Sequence, residues 1–359
     1  MIYLLLSKRR FRFKMKKIII LICSLPDSAS VNMKDRLLET ESWVKKEIPS
    51  VEKMNEALEK YPIFIPEKFT EEKRFSNRLT DIYELEKEKT LFQLICIDGR
   101  TIFQDGLDKR LEYLGYIGDL IVFLSKHKSQ SETKALTAHP TGNYENADFG
   151  GKPFSLSKPA PIEMKKLLLV MNRLNEETNL NYDVTYEVTH HGPTELDTPS
   201  LFIEIGSTEK EWTDKNPGMI AAKAVLSLAD IEEVENPDET DEMEEIKEKE
   251  SALLEKNIIA VAFGGGHYAE RQTAGIFKTN IAYGHMFPKH TLETITEEVI
   301  LKAFEKSNAE IAFFDKKSMR GPDRRRIAEI LEKRNIPIVN DKDIVAEYGV
   351  GFNLREKTE

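Results

Sequence analysis

The stretch Ile258-Ile259-Ala260-Val261-Ala262-Phe263-Gly264-Gly265-Gly266-His267-Tyr268 carries six apolar residues in a row and then breaks into glycines. A strand with one wet face alternates apolar and polar residues. This one does not, so it reads as buried on both faces. Such strands belong to parallel sheets with helices on both sides. Upstream, residues 16–24, 91–97, 116–124, 135–139, 182–189 and 201–205 also read as strands. Between them fall helical stretches at 32–46, 105–113 and 216–228, and one that opens at Pro159 or Pro161 and runs through Asn172. Downstream, short strands at 281–283, 311–314 and 336–339 alternate with helices at 296–307 and 323–334. Residues 47–90 are mixed and charged, and residues 141–157, rich in Gly, Asn and Pro, read as loop. This alternation predicts an α/β fold of three layers, α/β/α, around a mixed, mostly parallel sheet.

Composition narrows the class. Of 359 residues, 40% are hydrophobic and 32% charged, which suits a globular core with a charged surface. No apolar run approaches the roughly 20 residues of a helical membrane span. Residues 18–23 follow a basic stretch but are too short for a signal peptide and lack a cleavage site. They read as the first strand, with residues 1–14 an N-terminal extension, Met15 a candidate start, residues 15–351 the α/β domain and residues 352–359 a tail. Cys23 and Cys96 both lie in apolar strands, so they read as core residues of a cytoplasmic protein and are too few for a cysteine zinc site. Residues 230–256 hold 13 acidic and 3 basic residues, a net of −10, which equals the net charge of the whole chain. The body is therefore near neutral and able to carry a basic patch, with the acidic run set apart as a surface insertion.

All seven histidines fall between residues 127 and 290. His127, His139, His190 and His191 end strands, His267 follows the glycine run, and His285 follows Gly284. Any one of them is more often a turn cap than a reactive group. Their repeated strand-end placement points to a shared site, because ligands of open α/β sheets bind beyond the carboxyl ends of the strands. If the strands run parallel, the histidines converge on one rim. His190 and His191 are sequence neighbours, so without a kink only one of them faces a given pocket. Zinc would need ligands from separate strands, with His139, His190, His191 and His285 the candidates. Glu204, inside the apolar run 201–205, is costly to bury unpaired, so it is a ligand, a base or the partner of a buried cation. Gly264, Gly265 and Gly266 could offer backbone amides to an oxyanion, and no Gly-Lys-Ser/Thr follows to make a P-loop. Lys316, Lys317, Arg320, Arg324, Arg325 and Arg326 face one acid, Asp323, and read either as a phosphate contact or as a solvated helix start.

Taken in order, several segments resemble the archaeal and plant type of D-aminoacyl-tRNA deacylase. They are Ser125-Lys126-His127-Lys128-Ser129, residues 135–143 (ALTAHPTGN), Thr189-His190-His191-Gly192-Pro193-Thr194, residues 202–207 (FIEIGS), Gly264-Gly265-Gly266-His267-Tyr268-Ala269 and Gly284-His285-Met286. The resemblance implies hydrolysis of the ester that joins a D-amino acid to tRNA, assisted by zinc, on a core of the phosphorylase/peptidyl-tRNA hydrolase type. It implies D-aminoacyl-tRNA as partner; the sequence itself gives no sign of a membrane or of an obligate protein partner. Ester hydrolysis needs an activated water and a stabilised oxyanion. We therefore expect catalytic roles for His191, His267 and Glu204, and substrate contacts from His127, Gly264, Gly265, Gly266, Tyr268, Arg324, Arg325 and Arg326. A nucleoside phosphorylase or peptidyl-tRNA hydrolase on a similar core, and a non-catalytic tRNA-binding protein, remain open alternatives.

Overall fold

A computed structural model describes residues 16–229 and 241–350. The expected extension 1–14, the tail 352–359 and the start of the acidic run, 230–240, lie outside the described residues. The strands are β1 (Lys17–Ser24), β2 (Val44–Lys46), β3 (Leu79–Lys87), β4 (Thr90–Ile97), β5 (Leu120–Lys126), β6 (Ala135–His139), β7 (Gly142–Asn143), β8 (Ser155–Leu156), β9 (Asp183–Tyr186), β10 (Ser200–Gly206), β11 (Ile258–Phe263), β12 (Ile281–Phe287), β13 (Ile311–Phe314) and β14 (Ile338–Val339). They form not one sheet but two large ones and a small hairpin. The first has the order β2-β3-β4-β1-β5-β10-β6-β9 and the second β12-β11-β13-β14, while β7 pairs with β8. The second sheet is wholly parallel. The first is parallel across β4, β1, β5 and β10 and reverses at β6, which runs antiparallel to β10.

Residue alternation in β1 builds the layers. Ile19, Leu21 and Cys23 face Met33 and Leu37 of the helix Ser28–Thr40, Met164 and Leu168 of Pro161–Thr178, and Ile220 and Ala221 of Lys215–Leu226. Ile20 and Ile22 face the other way, onto Met54 of Val51–Lys60 and Leu111 of Leu107–Leu114. The six-residue run of β11 is buried on both faces, as its composition requires. Ala260 and Ala262 join the core shared with the first sheet, while Val261 and Phe263 pack under the helices Glu297–Ser307 and Gly321–Glu332.

Local chemistry sets several boundaries that differ from expectation. The helix expected at 32–46 begins at Ser28, because Asp27 accepts from the amides of Ala29 and Ser30, and it stops at Thr40. Residues 44–46 leave as the edge strand β2. The mixed stretch 47–90 contains a full helix and β3, whose charged residues mark an edge region of the sheet. A last helix, Asp341–Tyr348, was not anticipated. Of the acidic run, residues 241–254 are helical, and its end is docked rather than set apart. Leu253 is buried, Glu250 pairs with Arg173 at 2.9 Å, and the Leu253 carbonyl accepts from the buried Lys165 ammonium. Among the described residues no helix is long and apolar enough to cross a membrane.

Candidate active site

The reversal at β6 builds the site. In an antiparallel pair, directly opposed residues point to the same face. Glu204 of β10 opposes Thr137 of β6, and Phe202 opposes His139. On the parallel side Glu204 registers with Ser125 of β5, and His127 lies two residues further on the same face. The histidines thus meet on one face across an antiparallel pair, not along the single carboxyl rim expected of parallel strands. Beyond β9 the chain continues as Glu187-Val188-Thr189 and binds both sheets. The Glu187 amide donates to Ala138 O at 3.2 Å, that of Val188 to His267 O at 3.0 Å, and that of Thr189 to Met286 O at 3.0 Å. His267 and Tyr268, carried out on the glycine turn after β11, are delivered to this seam.

His139, His190 and His191 form the first group. Ring centroids lie 4.2 Å apart for His139–His190, 4.9 Å for His139–His191 and 4.4 Å for His190–His191. Both sequence neighbours reach it because the strand has already ended and His191 adopts a left-handed φ of 43°. In each ring Nδ1 is fixed on a backbone carbonyl: Pro140 O at 3.1 Å, Val188 O at 2.7 Å and Gly192 O at 2.6 Å respectively. Nδ1 donates in these bonds, so in the neutral ring Nε2 is a lone pair. Partial burial and the neighbouring His139 hold His190 below the usual histidine range, and the same causes push His191 down to about 3. His139 is shifted the other way: burial disfavours its charge, but the Glu204 carboxylate, 3.6 Å from Nε2, outweighs it. Buried His139 Nε2 has no hydrogen-bond partner. That atom faces a carboxylate across a gap that calls for a cation, whether a proton or a metal ion.

Glu187 is the hub of the second group, and its place between Tyr186 and Val188 is the clue to it in the sequence. It is fully buried. One oxygen accepts from the Thr137 hydroxyl and from His127 Nδ1 at 3.0 Å, and the other from His267 Nε2 at 2.6 Å. Burial alone would raise its pKa, but His127 and His267 hold it well below the carboxylate range. Burial likewise opposes charge on His127, yet Glu187 and Glu204 push its pKa up to about 11. Glu204 is also lowered: burial opposes, while His127 and His139 outweigh it. His127 donates from Nε2 to the Tyr268 hydroxyl at 2.9 Å. His267 stays 49% exposed, with Nε2 on Glu187 and Nδ1 outside that bond.

Three sets of these donors lie within 4.8 Å of one another: His139 with His190 and His191, His127 with Glu187 and His267, and His139 with Glu187 and Glu204. His285 joins none of them. It is fully buried with Nδ1 on Thr189 Oγ1 at 3.1 Å and Nε2 on Ser157 O at 3.0 Å, a core histidine tying β12 to the loops. Burial pushes its pKa down to about 4. Other expected contacts are also redistributed. His127 is buried among carboxylates rather than facing a substrate. Gly264 and Gly265 have φ of 103° and 94°, which glycine alone tolerates well. Their amides are occupied by Phe287 O and Ser318 Oγ, so of the three only the amide of the exposed Gly266 has no hydrogen-bond partner among the described residues. Arg326 donates to the carbonyls of Ile295 and Leu292 and is structural. Arg320 pairs with Glu293 and Asp323, while Arg324, Arg325, Lys316 and Lys317 have no ion pair among the described residues.

A family model described as D-aminoacyl-tRNA deacylase matches residues 115–339. A D-aminoacyl-tRNA deacylase of Methanosarcina acetivorans is 43% identical over 332 residues, 92% of this chain and 95% of that protein. One from Archaeoglobus fulgidus is 31% identical over 331 residues, 92% and 98% of the two chains. A crystal structure of a conserved protein of unknown function, 30% identical, superposes with a TM-score of 0.72 and covers 93% of this chain and 99% of that one.

Proposed function

The chain belongs to the D-aminoacyl-tRNA deacylase family, and on that premise we propose that it hydrolyses the ester joining a D-amino acid to the 3′ end of tRNA, with a zinc ion held by His139, His190 and His191. The observation that carries this reading is the set of three Nε2 lone pairs, each ring oriented through Nδ1 by a backbone carbonyl. That is how metal-binding histidines are held in position. The partnerless His139 Nε2 beside Glu204 fits the same group. When bound there, zinc would polarise the ester carbonyl and lower the pKa of water.

The chain's own residues supply the rest. Glu187 accepts the Nε2 proton of His267, which leaves Nδ1 as the base toward the cleft. His267 takes a proton from the attacking water and returns one to the leaving ribose oxygen. The Gly266 amide, exposed beside His267, donates to the oxyanion. Glu204 and His127 act by position. Glu204 holds the charge of His127 and faces His139, and His127 fixes Glu187 and Tyr268. His191 serves as a ligand in this scheme. Arg324 and Arg325, with Lys316 and Lys317, lie beyond the carboxyl end of β13, whose loop reaches the glycine turn through Ser318. There they suit tRNA phosphates. The test is turnover of paired D- and L-aminoacyl-tRNAs by wild type and by His267→Ala. Loss of D-ester hydrolysis in the folded variant supports the role, and an unchanged rate removes it.

A further inference from the structure

The loop between β7 and β8 presents Phe149 to solvent at 57% exposure, and single exposed apolar residues are ordinary. Three features make this one different. First, it is tied to the site: the Phe149 carbonyl accepts from the Gly192 amide at 3.0 Å, one peptide from His191. Second, the loop is braced. Asn143 Nδ2 donates to Gly150 O at 2.8 Å, the Lys152 amide donates to Thr194 Oγ1 at 2.9 Å, and Glu145 is met by the Thr294 hydroxyl. Gly150 has a φ of 76°, and a Cβ there would lie 2.0 Å from the Ile102 carbonyl oxygen, so the backbone is seated against the body. Third, the ring belongs to a ledge. Phe69 packs on Phe103 with centroids 5.2 Å apart and on Phe149 at 6.0 Å. The half-exposed Lys68 ammonium, paired with Asp148, lies 5.3 Å from the Phe149 centroid.

We propose that Phe149, backed by Phe69 and Lys68, is a stacking platform for an unpaired nucleotide at the 3′ end of the tRNA acceptor arm. The inference rests on the functional reading above, which brings a single-stranded RNA end to His191. An aromatic ring offers a base a π-face at little entropic cost when its loop is already fixed, and a nearby ammonium suits the adjoining phosphate. The exposed Lys289, Lys316 and Lys317 stand at the carboxyl ends of β12 and β13, beside the glycine turn on the His267 flank. The RNA would thus be held by phosphate on one side of the histidines and by a base on the other.

The probe is uncharged tRNA, intact or trimmed of its unpaired 3′ nucleotides, titrated onto wild type, Phe149→Ala, Phe149→Trp and the control Ile117→Ala. Ile117 is equally apolar and 64% exposed but precedes β5, at the sheet's opposite end. Phe149→Ala should weaken intact tRNA roughly 5- to 150-fold, the equivalent of ~1–3 kcal/mol for a stacked base, and leave trimmed tRNA unchanged. Phe149→Trp should retain the wild-type preference, and Ile117→Ala should match wild type. The platform is overturned if wild type binds intact and trimmed tRNA alike, or if Phe149→Ala weakens both equally or neither. Because binding is read without turnover, a protein that discriminates through Phe149 but hydrolyses no ester keeps the platform and loses the catalytic reading. The reverse pattern does the opposite.

Discussion

Two groups of histidines share a few ångströms of the same sheet face and are anchored in different ways. His139, His190 and His191 are held by backbone carbonyls, and burial keeps the last two neutral. His127 and His267 are held by the Glu187 carboxylate, and His127 carries a charge well above neutral pH. A carbonyl anchor fixes a tautomer without adding charge, so it leaves a lone pair for a ligand. A carboxylate anchor favours the protonated ring: His127 is held charged, while His267, still half exposed, is the one placed to exchange a proton in the proposed scheme. His285 shows a third outcome, with both nitrogens satisfied and none free to react.

The comparison is broken most severely by removing the lone pairs. His139→Ala, His190→Ala and His191→Ala should each lose bound metal, read by elemental analysis, and drop turnover beyond the roughly 10²–10⁴-fold expected of a lost proton mover such as His267. Equal losses for ligands and base, with metal retained, would merge the two groups into one. Glu187→Gln keeps the shape and removes the charge. It should lower turnover about 10- to 100-fold while metal content stays near wild type, and cost about 3 kcal/mol or more by stranding His127, read by urea unfolding.

His285 gives a smaller, pH-shaped effect. Its folded pKa of about 4 lies below the ordinary value of 6.5, so its contribution is fully present above pH 6.5 and is lost as pH falls toward 4. Across that window wild type should lose up to about 3 kcal/mol more than His285→Asn, which should retain bound metal. The smallest effect separates the arginines. Arg324→Ala with Arg325→Ala should raise KM for every charged tRNA and reduce the salt slope by roughly one unit per lost contact. Arg326→Ala should instead lower the melting temperature, because its guanidinium holds the Leu292 and Ile295 carbonyls.

How much of this the sequence disclosed follows from what periodicity can carry. The both-faces-buried reading of residues 258–263 and the layered α/β class were legible, because burial writes itself into composition. The division into two sheets and the reversal at β6 were not, since a strand's residues do not record which neighbour they pair with. Glu204 stood out as a carboxylate among apolar residues. Glu187 carries a weaker form of the same signal within Tyr186-Glu187-Val188, beside the more conspicuous histidine pair. His285 shared its strand placement with reactive histidines, and only its two hydrogen bonds separate it from them. The end of the acidic run misled because its charge was averaged with Leu253, which is buried.

If the carbonyl-anchored histidines hold a metal on which ester hydrolysis depends, metal and activity must be lost and recovered together. The direct measurement is the rate at which purified protein deacylates matched D- and L-aminoacyl-tRNAs before chelation, after it, and after zinc is returned, with metal content followed in each state. The D-ester should be hydrolysed over the L-ester, with activity lost along with the metal and recovered with zinc. Full D-ester hydrolysis by protein shown to contain no metal would contradict that dependence.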